Sequence, residues 1–190
     1  MTNNLLIKKS LQDHQLVLES LPAQIDNIDL AIQNCEKVLE SKKKFMFCGN
    51  GGSAADSQHL AAEFTGRFLS KVQPLPAIAL TTDTSALTAI GNDFSFQEVF
   101  SRQVSAIGSK GDLLFAISTS GNSENVIKAV NVAKEEGIFT LALIGYDGGE
   151  LGKVADLSII IDSSFTARIQ EMHILVGHII CEALDKKREY

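Results

Sequence analysis

Residues 45–54 read FMFCGNGGSA and contain the pattern on which the fold prediction depends. Phe45 to Cys48 form an apolar run of the kind found in parallel strands that are buried on both faces. Three of the next four residues are glycines, which let the backbone turn tightly and approach a ligand closely. From Ser53 onward the apolar residues recur at helical spacing. The stretch therefore predicts a strand that passes directly into a helix.

The same alternation of strand and helix continues to the end of the chain. Four further apolar runs are strand candidates, and helical patterns lie between and after them. This order predicts an α/β fold, a doubly wound five-stranded parallel sheet flanked by helices, whose ligands bind at the carboxyl ends of strands. The predicted strands are Lys44–Cys48, Ala77–Leu80, Leu113–Ser118, Phe139–Ile144 and Leu157–Ile161, and the predicted helices are Ser53–Phe68, Thr84–Ile90 continuing past a break to Phe96–Ile107, Glu124–Glu136 and Phe165–Lys187.

An N-terminal helical extension precedes this α/β pattern. Apolar residues recur every three or four positions from Ile25 to Leu39, and Pro22 suits the first turn of that helix. An earlier amphipathic stretch has His14 on its apolar stripe, where a packed or interface histidine is commoner than a ligand. We expect one domain over residues 1–190, with a helical preface at 1–42 and an α/β core with its C-terminal helix at 43–190.

Composition excludes several classes of protein. A chain of 190 residues, 45 % hydrophobic, can bury a core without disulfides or a structural metal, which rules out disordered and fibrous proteins. The net charge of −6 argues against a general nucleic-acid or membrane surface, and the longest apolar run is far short of a membrane span. Three widely spaced cysteines fit a reducing cytosol. We therefore expect a soluble cytoplasmic protein with no nucleic-acid or membrane partner.

Two predicted strand-to-helix turns have the chemistry of an anion site. The first, residues 50–53, contains glycines before a helix start whose free N–H groups favour an anion, although a plain tight turn uses the same residues. The second, residues 118–123, reads STSGNS and places four hydroxyls around one glycine. Helix capping would explain one or two of these polar residues but not the whole group. The two turns predict one phosphate held between them, whereas no partner for a nucleotide's base or ribose is evident.

A metal or acid–base site is a second candidate. His59 and Glu63 lie four residues apart on one helix face, a spacing that is commoner in surface ion pairs. The C-terminal helix pattern is apolar on most sides, yet it carries Gln170 and His178 on one face. Two imidazoles, a carboxylate and an amide oxygen suit a divalent metal such as zinc. A hydrogen-bonded core histidine is the alternative for His178.

Five ordered motifs resemble the phosphoheptose isomerases, small members of the sugar-isomerase (SIS) domain family. The motifs are CGNGGSAAD (48–56), QHLAAEF (58–64), AIGND (89–93), ISTSGNS (117–123) and ARIQEMH (167–173), so the resemblance spans essentially the whole chain. It implies conversion of sedoheptulose 7-phosphate to D-glycero-D-manno-heptose 7-phosphate for bacterial surface glycans. It also implies a cytoplasmic homotetramer with one zinc ion per subunit.

The resemblance further implies roles for individual residues. Glu63 and His178 would be the catalytic base and acid of an enediol mechanism, with zinc polarising the carbonyl. Ala167 stands where some family members have Asp, so one sugar contact is absent or supplied differently. The implied metal ligands are His59, Glu63, Gln170 and His178, and the implied substrate-binding residues are Asn50, Gly51, Gly52, Ser53, Glu63, Asn92, Asp93, Ser118, Thr119, Ser120, Ser123 and Gln170.

Two other functions stay open at this point. A non-catalytic SIS protein, either a sugar-phosphate sensor or an adaptor that binds the replication initiator, needs the phosphate turns but no acid–base pair. A different phosphosugar isomerase or a sugar-phosphate lyase would differ in pocket length, which the sequence does not reveal. The presence of both histidines together with Glu63 and Gln170 favours the isomerase over the non-catalytic protein.

Overall fold

A parallel sheet of five strands is the centre of the fold in the computed structural model, which describes residues 2–188. In chain order the strands are β1 (Phe45–Gly49), β2 (Ala77–Ala79), β3 (Leu113–Ser118), β4 (Phe139–Gly145) and β5 (Leu157–Ile161). They lie side by side in the order β2-β1-β3-β4-β5, and each neighbouring pair is parallel. β1 and β3 are buried along their whole length, as their uniformly apolar sequences predict.

Helices cover both faces of the sheet. They are α1 (Asn3–Ser20), α2 (Ile25–Glu40), α3 (Gly52–Thr65), α4 (Thr84–Asp93), α5 (Ser101–Ile107), α6 (Glu124–Glu135), α7 (Leu151–Val154) and α8 (Thr166–Arg188). Phe45 and Phe47 of β1 point into a core shared with α2, α3 and α8, whereas Met46 and Cys48 point into a second core shared with α5, α6 and α7. The predicted doubly wound architecture is therefore confirmed.

The N-terminal extension is helical, as predicted, and its two helices pack differently. α2 buries one stripe, which includes Ala31 and Cys35, against the sheet. α1 has no buried residue along its described length, and its apolar side chains, such as Leu11 and Leu16, are largely exposed. His14 bonds Glu171 of α8 through its Nδ1, 2.8 Å from Oε2, so it is a packing contact and not part of the site.

Some predicted helix boundaries are wrong. The helix predicted to reach Phe68 ends at Thr65, because Gly66 is a poor helix former and the chain leaves the helix there. The predicted helix over 96–107 divides into a 3₁₀ turn and α5, because the Ser101 hydroxyl bonds the Glu98 backbone oxygen (3.2 Å) and carboxylate (2.7 Å). The short helix α7 was not predicted. Within residues 2–188, no helix is long and apolar enough to cross a membrane.

Candidate active site

The sheet's topological switch point lies between β1 and β3. The chain leaves β1 for β2 on one side and returns to β3 on the other, and ligands of doubly wound folds bind at such a crevice. Gly49 is paired with Ile117, so the turn after β1 and the turn after β3 are adjacent at the carboxyl edge. The structure therefore brings together the two turns that the sequence predicted as an anion site.

The first turn requires its glycines. Gly51 has a φ of +57°, a backbone conformation that residues with a Cβ rarely adopt. A Cβ on Gly52 would lie 2.8 Å from Cδ of Gln170, so the α8 side chain lies directly against the first residue of α3. No side chain caps the N-terminus of α3, but the N–H groups of Ser53, Ala54 and Ala55 already bond backbone oxygens of the turn, so the turn attracts an anion mainly through the helix dipole.

The second turn gathers hydroxyl groups at the start of α6. Ser118 Oγ donates to Ser123 Oγ at 3.1 Å, and Ser120 Oγ accepts from the backbone N–H of Asn122 at 3.2 Å. Ser123 is the N-cap residue of α6, yet its hydroxyl makes no capping hydrogen bond. Capping therefore does not account for this hydroxyl. The partly exposed Thr119 and the exposed Ser120 complete a set of neutral groups suited to a phosphate.

A pair of asparagines bridges the two turns. Asn50 Nδ2 donates to Asn125 Oδ1 at 2.8 Å, and Asn125 Nδ2 donates to Asn50 Oδ1 at 2.9 Å. Asn125 is 4 % exposed, so its amide needs this partner. The Asn50 side chain, which the resemblance placed in the sugar site, is thus bonded to the other turn.

The three residues His59, Glu63 and His178 come together between α3 and α8. Each offers one ligand atom, and these atoms all lie within 4.8 Å of one another. His59 Nε2 is 3.0 Å from Glu63 Oε1, and the two imidazole rings meet edge to face at 5.0 Å. We refer to these three residues as the triad, and their donors are those of a divalent-metal site.

The electrostatics of His178 favour its neutral form. Burial lowers the pKa of its imidazole, the nearby His59 lowers it further, and Glu63 acts in the opposite direction. His178 Nε2 is buried and has no hydrogen-bond partner among residues 2–188. A neutral imidazole with a free ring nitrogen is the form that binds a metal ion, so the triad fits such an ion.

Gln170 does not lie with the triad. Its side chain is at Gly52, and eight residues separate it from His178, about 12 Å along α8 at 1.5 Å per residue. α3 and α8 run in the same direction, since Gly52 meets Gln170 at one end and Leu60 meets Gly177 further along. The structure thus groups three of the four predicted ligands and places the fourth at the first phosphate turn.

The remaining predicted residues lie at the end of α4. Asn92 and Asp93 are both exposed, and Asn92 Nδ2 donates to Asp93 Oδ1 at 2.8 Å. Exposed Phe94 follows them, with the guanidinium of Arg102 3.8 Å from its ring centre. Their place in a sugar site stays a prediction.

Three residues near the triad and the turns were missed as site residues from the sequence. Phe68 stacks on the His178 ring at 5.3 Å, whereas the sequence indicates only the last residue of a predicted helix there. The role of Asn125 could not be predicted from local sequence patterns, because its hydrogen-bond partner, Asn50, is 75 residues away in the chain. Burial raises the pKa of Asp56 to about 6, and its position three residues before His59 was the available clue.

The chain is similar to known proteins in sequence and in fold. The SIS domain family model matches residues 11–145. The phosphoheptose isomerase of Campylobacter concisus is 53 % identical over 95 % of this chain and 96 % of its own. Among solved structures, the phosphoheptose isomerase of Neisseria gonorrhoeae has a TM-score of 0.93 at 43 % identity, covering 97 % of this chain and 100 % of its own. The phosphoheptose isomerase of Francisella tularensis has a TM-score of 0.94 at 34 % identity, covering 98 % of this chain and 100 % of its own.

Proposed function

The chain belongs to the phosphoheptose isomerases of the SIS domain family, and from this membership we propose that it converts sedoheptulose 7-phosphate to D-glycero-D-manno-heptose 7-phosphate. The product would supply bacterial surface heptose. The observation that carries the proposal is the triad, whose His59 and Glu63 lie on α3, the same helix that begins at the first phosphate turn. That helix therefore offers an anion site at its start and two of the triad residues further along, and α8 adds His178.

The phosphate would bind between the two turns. The positive ends of the α3 and α6 dipoles lie at the two turns, neither helix start has a side-chain cap, and the turns carry the hydroxyls of Ser53, Ser118, Thr119, Ser120 and Ser123. His59 is seven residues beyond Gly52, about 10 Å along the helix. In the substrate the phosphate on carbon 7 and the carbonyl at carbon 2 are near opposite ends, so phosphate binding would position the carbonyl end toward the triad.

Isomerisation requires a proton to leave carbon 1 and a proton to be delivered to carbon 2. Glu63 would act as the base through its Oε2, while its Oε1, which meets His59 Nε2 at 3.0 Å, would share the metal with that imidazole. His178, neutral because burial lowers its pKa, would pass its ring proton to the carbonyl oxygen on carbon 2 and take up the proton that leaves the hydroxyl on carbon 1. The protonated Glu63 would return its proton to carbon 2. A zinc ion held by His59, Glu63 and His178 would polarise the carbonyl and so acidify the proton on carbon 1.

We also propose a cytoplasmic homotetramer. The exposed apolar side chains of α1 support association, since monomers rarely expose contiguous apolar surface of this kind. Three free, buried cysteines support a reducing compartment. The alternative of a non-catalytic sensor or adaptor is not favoured, because such a protein would not need the triad.

The test follows the aldose product by NMR after incubation of the purified protein with sedoheptulose 7-phosphate, with chelator, and with zinc restored. Product that disappears with chelator and returns with zinc supports both the reaction and the metal. In His59→Ala, adding zinc after the chelator should no longer restore product. His14→Ala, which removes an imidazole on α1, is the matched control, and zinc should restore its activity as in the wild type. No product from folded protein under any condition would overturn the isomerase and favour the sensor.

A further inference from the structure

The His178 ring is oriented by aromatic packing instead of a hydrogen bond. Imidazoles that bind metals are usually held by a carboxylate or carbonyl on the second ring nitrogen. Among residues 2–188 no residue forms a hydrogen bond with either ring nitrogen of His178, so no such partner orients the ring whichever nitrogen binds the metal. Its ring instead meets His59 edge to face and stacks on Phe68, with centroids 5.3 Å apart and planes 29° apart. The plane of the His178 ring therefore depends on where Phe68 lies.

Phe68 is outside the helix that carries His59 and Glu63. It follows Gly66, in the irregular segment that connects α3 to β2. Connecting segments are more mobile than the elements they join, so the stack needs something to hold this one. The aromatic contact alone would not restrain a segment of this length.

Asp185 of α8 supplies that restraint. Its Oδ2 accepts hydrogen bonds from the backbone N–H groups of Leu69 (2.9 Å) and Ser70 (3.0 Å), the two residues directly after Phe68. Asp185 is only 2 % exposed, and a carboxylate is rarely buried unless hydrogen-bond donors or a cation pair with it. Its Oδ1 accepts from Arg188 at 2.6 Å, and Arg188 also donates to the backbone of Gln73 in the same segment.

Asp185 and His178 lie seven residues apart on α8, two helical turns, and therefore on the same side of the helix. One helix thus carries both the imidazole and the carboxylate that fixes its stacking partner. We propose that Phe68 is a positioning residue that holds the His178 imidazole for metal binding and proton transfer, and that Asp185 acts through the Leu69 and Ser70 amides to hold Phe68 there. The inference rests on the proposed function of the triad.

Three variants separate positioning from general support of the fold. Phe68→Leu keeps an apolar side chain but removes the ring face, Phe68→Tyr keeps the ring, and Asp185→Asn keeps the shape but removes the charge that binds the two amides. Two variants are the matched controls. Phe100→Leu changes a phenylalanine in the core on the opposite face of the sheet. Asp156→Asn changes a carboxylate that accepts a hydrogen bond from the Thr140 backbone N–H at 2.9 Å. Each protein is measured for zinc affinity by competition with a chromophoric chelator, for kcat and KM, and for Tm.

Phe68→Leu and Asp185→Asn should each weaken zinc binding and lower kcat roughly tenfold, with KM within about twofold, because the phosphate turns are untouched. Phe68→Tyr should stay within about threefold of the wild type. The double variant that combines Phe68→Leu with Asp185→Asn should have nearly the same zinc affinity and kcat as Phe68→Leu alone, because both changes act on the position of the Phe68 ring. The two controls should lower Tm without changing zinc affinity.

Two outcomes would overturn the inference, and they are distinguishable. If Phe68→Leu lowers Tm but keeps the zinc affinity and kcat of the wild type, Phe68 supports only the fold. If the wild-type protein neither binds zinc nor forms product, the proposed function itself fails and the positioning role fails with it.

Discussion

The side-chain amides of Asn50 and Asn125 form two reciprocal hydrogen bonds, 2.8 and 2.9 Å long, across the crevice between β1 and β3. Asn50 belongs to the first phosphate turn and Asn125 to the first turn of α6. Each amide thereby uses a donor and an acceptor on the other. The pair sets the separation of the two turns before any ligand arrives, which reduces the cost of ordering them on binding.

Asn125→Asp should weaken phosphate binding specifically. The carboxylate would face the Asn50 oxygen with an oxygen of its own, so one bond is lost and repulsion replaces it, at a cost of about 1–3 kcal/mol. We expect KM for the phosphorylated substrate and Ki for inorganic phosphate to rise roughly tenfold, with kcat less affected. Asn50→Asp should behave the same way if the pair acts as a unit. A much larger loss for Asn50→Asp would instead indicate direct contact with the sugar.

Glu63→Gln tests the base directly. Glutamine keeps the size of the side chain and can still bond His59, but it cannot accept the proton from carbon 1. We expect kcat to fall roughly 10²- to 10⁴-fold with little change in Tm. Glu182→Gln, an exposed carboxylate paired with Lys186 on α8, is the control and should leave kcat unchanged. Full activity in Glu63→Gln would remove Glu63 from the mechanism.

Gly177→Ala should separate α3 from α8. A Cβ at Gly177 would lie 2.5 Å from Cδ2 of Leu60, and because Leu60 is buried, its side chain must repack against its neighbours to make room. Overpacking of this kind costs about 1–3 kcal/mol, or roughly 2–10 °C in Tm for a chain of this size. Because the same two helices carry the triad, zinc affinity should fall as well. Leu60→Val added to Gly177→Ala should recover part of both losses, and failure to recover either would point to a different cause.

Sequence patterns predict the sheet because buried parallel strands need uninterrupted apolar residues, and they predict the two turns because glycine and hydroxyl groups are concentrated there. Helical periodicity also predicts that His59 and Glu63 share a face. It does not give depth along a neighbouring helix, so it could not show that Gln170 lies at Gly52, about 12 Å along α8 from His178; its role as a fourth ligand stays a prediction. It also extended the apolar row of α3 to Phe68, past the glycine that ends the helix. The contacts of Asn125 and Asp185 join residues far apart in the chain, where local spacing carries no information.

His173→Leu should make the free energy of unfolding fall less than that of the wild type as the pH is lowered. His173 is fully buried, and burial lowers its pKa from 6.5 to about 4, an effect that the nearby Ile144 backbone partly offsets. Between these values the unfolded chain binds the proton and the folded chain does not, so stability falls as the pH is lowered from 6.5 to 4. This contribution is up to about 3 kcal/mol. Urea unfolding at pH 7, 6 and 5, at one protein concentration, measures it, and coincident pH dependences for variant and wild type would contradict it.

Asp56→Asn should have the opposite pH signature. Burial raises the pKa of Asp56 from 3.8 to about 6, with His59 opposing the rise, so the folded state binds the proton more readily. Stability from this group is therefore present below pH 3.8 and lost as the pH rises to 6. The neutral amide avoids that loss, so the variant should have a higher Tm than the wild type at pH 7 and a similar Tm at pH 4. A Tm gain that is equal at both pH values would mean that packing, not ionisation, is responsible. If the stabilised variant also loses activity at pH 7, the carboxylate is kept for catalysis at the expense of stability, as expected of a half-buried acid three residues from His59.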